Sequence, residues 1–186
     1  MRTHRPTVDE EAEVFGALFT EHAQAVYAFC ARRTASLALA DDLTSLVFLE
    51  AWRHRARMQL ALEENPLPWL LGVANNVVRN ATRAQRRNRA ALAKLPEPAV
   101  SAGAEDEVIS RGETVRVLRE ALDAISLLNE GERDVVALVL WSGLSYEQAA
   151  VSLRVPVGTI RSRLSRARSK LQTSLSSVYI PVGGLT

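Results

Sequence analysis

The run Ser145-Tyr-Glu-Gln-Ala-Ala-Val-Ser-Leu-Arg154-Val-Pro-Val-Gly-Thr-Ile-Arg-Ser-Arg-Leu-Ser-Arg-Ala-Arg-Ser-Lys-Leu171 divides into two helices around a turn. Ser145 and Gln148 stand at capping-box spacing: the hydroxyl accepts from the Gln148 backbone while the Gln148 side chain reaches back. The first helix then covers Tyr146 to Leu153, with Ala149 and Ala150 small enough for a partner helix to approach closely. Arg154-Val-Pro156 makes the turn, and Pro156, with no N–H and a helical φ, opens the second helix. At about 100° per residue, Ile160, Leu164, Ala167 and Leu171 share one narrow arc, the buried seam. Gly158, Ser162, Ser165, Arg166 and Ser169 occupy the opposite arc, flanked by Arg161, Arg163 and Arg168. A short helix, a tight turn and a second helix with a small-residue and arginine face form a helix-turn-helix. Short side chains let such a helix sit deep in a major groove, where arginine reaches base edges or phosphates. An ordinary surface helix of a bundle would mix acids with its bases, but no acid falls between Ser152 and Leu171.

Upstream, Leu118 to Leu128 reads as an amphipathic helix. Asn129-Glu-Gly-Glu132 is a second capping box, leading into the apolar run Val135 to Trp141, which Ser142-Gly143 breaks. Before that unit lies Leu95-Pro-Glu-Pro-Ala-Val-Ser-Ala-Gly-Ala-Glu-Asp-Glu107, with no helical or strand period. It reads as an acidic, flexible linker. The charge is sorted around it: Arg79, Arg83, Arg86, Arg87, Arg89 and Lys94 precede it with no acid from Asn76 onward. Net charge is only +2, yet two basic blocks on either side of an acidic spacer suit two surfaces for a polyanion.

The N-terminal part is helical in period as well. Val14, Phe15, Leu18, His22, Ala25, Val26 and Phe29 form one apolar stripe through about Ala31. A second helix is expected from about Ala40 to Arg55, with Asp41 and Asp42 in its first turn and Arg53, His54 and Arg55 in its last, as the helix dipole favours. A third starts near Trp69 after a proline-marked approach. Leu70, Val73, Val77 and Ala81 lie on one of its faces, and Asn76, Arg79, Asn80, Arg83, Arg86 and Arg87 lie between. From Trp69 to Leu92 it would be about 36 Å long, enough to lie along a nucleic-acid backbone; a solvated arginine face is the plainer alternative.

The expected fold class is therefore all-α: two small helical domains, 12–95 and 110–175, joined by a linker over 96–109, with a tail over 176–186. With 186 residues, 47% apolar and 5% aromatic, there is little room for a large catalytic scaffold. No apolar run approaches the ~18 residues of a membrane span, and the acidic N-terminus lacks a signal-peptide core. These point to an intracellular protein without membrane insertion. His4, His22 and His54 have no ligand spacing, so no metal is expected. Cys30 reads as a small buried hydrophobe. Trp52, Trp69 and Trp141 fall in apolar periods, with Trp69 the best placed for function. No phosphate loop or nucleophile motif appears, so neither a cofactor nor enzymatic activity is expected.

Asp42-Leu-Thr-Ser-Leu-Val-Phe-Leu-Glu-Ala-Trp52, Pro68-Trp-Leu-Leu-Gly-Val-Ala-Asn-Asn76 and the Leu144 to Arg168 stretch together resemble the extracytoplasmic-function (ECF, group 4) branch of the sigma-70 family of bacterial RNA polymerase sigma factors. The resemblance covers about Phe15 to Leu171 and includes the linker between two promoter-reading domains. It implies a cytoplasmic protein that binds core RNA polymerase and directs promoter-specific initiation. Gly158, Thr159, Arg161, Ser162, Arg163, Ser165 and Arg166 would read the −35 element as duplex. Trp69, Asn76, Arg79, Asn80, Arg83, Arg86 and Arg87, with the loop before them, would melt and read the −10 element. Asp41, Asp42, Leu46, Leu49, Glu50 and Arg53 would face the clamp helices of the polymerase largest subunit, and Leu128 to Trp141 the flap. An anti-sigma factor is the further partner implied. Ser45-Leu46 departs from the family's Gln-acid pair, which removes one charge from the clamp face. Read from the residues alone, a free-standing helix-turn-helix repressor or activator stays open, with a nucleic-acid enzyme as a remoter third.

Overall fold

The computed structural model describes residues 8–55, 65–92 and 123–176, and every regular element among them is helical. The linker over 96–109, the start of the helix expected from Leu118 and most of the loop before Trp69 lie outside the described residues. Helix α1 spans Val8–Thr34, α2 spans Leu37–Arg53 and α3 spans Leu67–Leu92. In the C-terminal unit, α4 (Glu130–Val135) runs on as a π-helical stretch, Val136–Trp141. It is followed by α5 (Tyr146–Leu153) and α6 (Val157–Ser176).

Local chemistry sets most of these boundaries. Ala35 takes a left-handed φ of 53° between α1 and α2, and Ser36 caps α2 by accepting from the Leu39 N–H at 3.3 Å. That cap starts α2 three residues before the expected Ala40. Asp41 and Asp42 therefore leave the first turn, and the dipole no longer accounts for them. Both expected capping boxes form: Asn129 with Glu132, and Ser145 with Gln148. Arg154 closes α5 in the left-handed region at φ 53°, which permits the tight turn before Pro156.

The N-terminal core joins Leu18, Val26 and Phe29 of α1 to Leu43, Val47 and Phe48 of α2 and to Leu70, Leu71, Ala74 and Val78 of α3. Phe15 meets Phe48 and Trp52 edge-on at 6.2 and 5.0 Å between ring centroids. Val14, expected in the stripe, is 51% exposed. Cys30 is fully buried, and burial pushes its thiol up to about 11, so it is an unreactive core group. In α3 Leu70 is buried as expected, but Val73, Val77 and Ala81 are only half-buried, and the buried line continues through Leu71, Ala74, Asn75 and Val78, about one residue round from the expected face. The rotation follows from packing: α3 meets α1, α2 and also α5 of the other unit.

The two units are thus packed on each other. Ser152 of α5 is buried, and its hydroxyl donates to the Pro68 carbonyl of α3 at 2.6 Å as well as to the Gln148 carbonyl at 2.8 Å. Gly72 faces the same point. A Cβ there would lie 2.7 Å from the Ser152 carbonyl oxygen, so only glycine allows this approach.

Candidate nucleic-acid interface

The recognition helix is built as its periodicity predicts. Ile160, Leu164 and Ala167 are fully buried against α4 and α5, and Leu171 is half-buried at the end of the seam. Gly158, Arg161, Ser162, Ser165 and Arg166 are exposed on the other side; Thr159 and Arg163 are half-buried. Arg163 is drawn inward because its guanidinium lies on Gly131, where an added Cβ would stand 3.0 Å from Cζ. Behind the helix, Glu132 is buried to 1% exposure and accepts from Lys170 Nζ at 2.7 Å and from the Asn129 N–H at 2.9 Å. Burial alone would raise its carboxyl, but Lys170, Asn129 and Arg166 together hold it below the ordinary range. The carboxylate anchors α6 to the cap of α4, so the exposed face is held by a charged tie as well as by the seam.

The residues expected on α3 divide between two places. Trp69, Asn76 and Asn80 line a groove of about 560 Å³ between α2 and α3, together with Leu43, Leu46, Glu50, His54, Val73, Val77, Ala81, Ala84 and Arg154. This groove joins candidate −10 residues to candidate clamp residues. Arg86 and Arg87 are exposed on the distal turns of α3. Arg79 and Arg83 turn instead to the C-terminal unit: Arg79 Nε donates to Glu130 Oε1 at 2.7 Å, and Arg83 Nη2 to Glu130 Oε2 at 2.9 Å.

One helical turn along α4, Asp134 is 1% exposed, with Arg33 Nη2 at 2.7 Å and Arg79 Nη1 at 3.5 Å. Burial pushes the Asp134 carboxyl up against the pull of both guanidiniums. Asn75 lies beside it, buried, with neither side-chain amide atom in a hydrogen bond of good geometry. Arg33, Glu130, Asp134 and Ser152 escaped the sequence reading as interface residues. The only signal was chemical pairing at matched i, i+4 spacing, acids at 130 and 134 against arginines at 79 and 83.

The hydrogen bond from Arg79, helped by Arg83 and working against partial burial, takes the Glu130 carboxyl from 4.5 down to about 2. A depressed carboxyl stabilises the packed chain above its ordinary value and loses that contribution as pH falls toward the folded one. The unfolding free energies of wild type and Glu130→Gln should accordingly differ by a constant amount above about pH 5 and converge on acidification. Urea titrations across that range check the sign.

On α2, Asp42, Leu46, Leu49 and Arg53 line up on one face, with Asp41 about 100° away. Leu46 and Leu49 are 47% and 45% exposed, and Glu50 pairs with Arg53 at 2.6 Å. Two exposed leucines bracketed by charges suit a protein partner better than solvent. Among the described residues no group of His, Cys, Asp or Glu could hold a metal, and no helix is long and apolar enough to cross a membrane.

Family models agree with this layout. One described as Sigma-70 region 2 matches residues 18–88, and one described as Sigma-70, region 4 matches residues 118–171. RNA polymerase sigma factor CarQ of Myxococcus xanthus is 30% identical over 174 residues, 94% of this chain and 96% of its own. ECF RNA polymerase sigma factor SigE of Mycolicibacterium smegmatis is 31% identical over 163 residues, 86% of this chain and 60% of its own. The sigma factor RpoE of Bartonella quintana, solved in complex with the anti-sigma factor NepR, shares the fold with a TM-score of 0.65 at 24% identity. That match covers 89% of this chain and 99% of that one. A recognition helix with a bare arginine face, a second arginine helix and matches over both units lead to one assignment: the chain belongs to the sigma-70 family of RNA polymerase sigma factors, among its ECF members.

Proposed function

We propose that this chain carries core RNA polymerase to its promoters, reading the −35 element as duplex through Gly158, Thr159, Arg161, Ser162, Arg163, Ser165 and Arg166. Trp69, Asn76, Arg79, Asn80, Arg83, Arg86 and Arg87 melt and read the −10 element, and the α2 face of Asp41, Asp42, Leu46, Leu49, Glu50 and Arg53 docks on the clamp helices. The observation that carries the reading is α6: a seam of Ile160, Leu164 and Ala167 buried to the last atom, with arginine, serine and glycine left outward. A free-standing repressor or activator would use its N-terminal unit as a dimerisation bundle, whereas that unit matches Sigma-70 region 2 over 18–88. The domain bounds of 12–95 and 110–175, the group 4 assignment, a cytoplasmic location and a non-enzymatic role belong to the same reading. Strand opening then draws on binding energy shared with polymerase. An anti-sigma factor is the natural further partner, since RpoE of Bartonella quintana is solved bound to one.

The test is transcription from supercoiled genomic templates by core polymerase with and without the purified chain. Specific starts only with the chain support the proposal; no binding to core enzyme at low salt overturns it. Within that assay, Arg161→Ala or Arg166→Ala should cost about 1–3 kcal/mol of promoter discrimination where the arginine reads a base. An arginine on phosphate would instead weaken all promoters alike and flatten the salt slope.

A further inference from the structure

We propose that Gly131, on the helix behind the recognition helix, is a positioning residue that seats Arg163 as a phosphate grip and keeps it from reading bases. This rests on the reading that α6 takes the −35 duplex, and names the contact one of its arginines makes there. Where a Cβ of residue 131 would stand, Arg163 Cζ, Nε and Nη1 lie 3.0, 3.1 and 3.2 Å away. Three nearly equal distances put that point over the flat face of the guanidinium, since an approach in its plane would bring a nitrogen much closer. The group therefore lies face-down on the Gly131 backbone, with its N–H donors directed along its edges. A side chain at 131 would take the seat, because ordinary carbon contacts begin at about 3.5 Å.

The neighbouring cations show what the seat is for. Arg163, Arg166 and Lys170 follow one another at spacings of three and four, so all three lie on the flank of α6 turned to α4. Glu132 accepts from Lys170 at 2.7 Å and has Arg166 Nε at 3.8 Å, whereas Arg163 makes no hydrogen bond or ion pair among the described residues. A planar cation fixed by its face, with its edge donors unused, is pre-organised for a bidentate anion. Arg163 is half-buried on the shoulder of α6, away from the outward arc of Gly158, Ser162 and Ser165. A helix inserted in a major groove turns its outward arc to base edges and its shoulders to the flanking backbones. Held on its shoulder, Arg163 meets phosphate. Arg161, exposed on the opposite flank with no such seat, is free to swing into the groove.

A change at Gly131 can be told apart from damage to the fold. The atoms a new side chain meets are the far end of a flexible arginine, so the strain is relieved by moving the guanidinium and not the backbone. Alanine and leucine also suit a helix better than glycine does. Gly131→Ala should therefore nudge Arg163 and Gly131→Leu unseat it, both with melting points at or above that of wild type. The probe is a fluorescent, degenerate pool of DNA duplexes of about 20 base pairs, titrated at several low salt concentrations. It is offered to full-length wild type, Gly131→Ala, Gly131→Leu, Arg163→Ala and each Gly131 variant combined with Arg163→Ala. The duplexes that each protein retains are sequenced.

The expected result is about a fivefold loss of affinity for Gly131→Leu and for Arg163→Ala, a smaller loss for Gly131→Ala, and a salt slope lowered by about 0.9, the share of one phosphate. The sequences retained should match those of wild type. Gly131→Leu combined with Arg163→Ala should bind within about twofold of Arg163→Ala alone, because no guanidinium is left to displace. A purely structural role for Gly131 would instead lower the melting point and add its loss to that of Arg163→Ala; either result overturns the proposal. A changed set of retained sequences in Arg163→Ala, the mark of a base reader, overturns it too. Should Gly131→Leu fail to fold, Gly131→Ala and its combination with Arg163→Ala decide. Wild type that binds no duplex at the lowest salt removes the −35 reading and this role with it, whereas wild-type binding that the Gly131 variants leave unmoved removes only the role of Gly131.

Discussion

Asp134→Ala should destabilise the packed arrangement by about 3–5 kcal/mol, because it strands a buried guanidinium. Arg33 is only 9% exposed, its Nε already lacks a hydrogen-bond partner, and Asp134 at 2.7 Å is the carboxylate that compensates its charge. An arginine cannot shed its proton to escape, so the variant must either bear an uncompensated buried charge or open and return Arg33 to water. Opening is the cheaper outcome, since the burial is created where the two units meet. The loss therefore falls on the contact between units, with the helical content of each kept. A chain carrying one label on each unit should lose its close-distance population by roughly two to four orders of magnitude in the closed-to-open ratio, the factor that 3–5 kcal/mol implies.

Arg33→Ala should cost less than Asp134→Ala. The carboxyl it leaves behind retains Arg79 at 3.5 Å and can take up a proton, a route that burial already favours by raising its affinity for protons. The paired replacement Arg33→Met with Asp134→Leu should recover most of the loss, since an apolar pair removes the burden of desolvating both charges. Equal losses in the two single variants, or no recovery in the double one, would show that the contact is held by something other than this ion pair.

How far the sequence could be read depended on whether the deciding interaction was local. The Asn129–Glu132 and Ser145–Gln148 boxes, the Arg154–Pro156 turn and the Ile160–Leu164–Ala167 seam are each settled within a few residues, and each lies where the pattern put it. Errors arise where distant chain intervenes. The buried line of α3 was displaced because α5, some eighty residues later, covers Gly72 and Pro68, a neighbour that periodicity within α3 does not encode. The shift of α2 came from Ser36 capping ahead of an alanine- and leucine-rich turn that reads equally well as approach or helix. Nothing in Val136 to Trp141 announces a π-helical stretch, whose closure depends on Ser142 Oγ donating to the Ala137 carbonyl and on the Leu144 N–H reaching Leu138 O. The arginines of α3 were found, but their occupation by Glu130 was not, because charge blocks reveal sign without partner.

The seam of the recognition helix is where scaffold and reader can be separated most sharply. Ile160 is fully buried at the centre of the α6 contact with α4 and α5, and Ile160→Ala should cost about 2–5 kcal/mol through lost transfer energy and the cavity left behind. In a unit this small that is a large share of the whole, since domains are stable by only about 5–15 kcal/mol. Its melting point should fall by more than about 8 °C, given roughly 4–8 °C per kcal/mol at this size. Arg161→Ala, one residue away but exposed, should leave the melting point within about 2 °C and change duplex recognition instead. Binding to the −35 duplex should weaken in both variants for different reasons: in Ile160→Ala it returns on cooling below the new melting point, whereas in Arg161→Ala the loss of about 1–3 kcal/mol persists at every temperature. Core binding through α2 should persist in both, because Leu46 and Leu49 sit in the other unit and touch neither change. A melting point unmoved by Ile160→Ala would mean that the outward arginine face is not held by this seam, and the orientation of α6 on which recognition depends would have to be assigned anew.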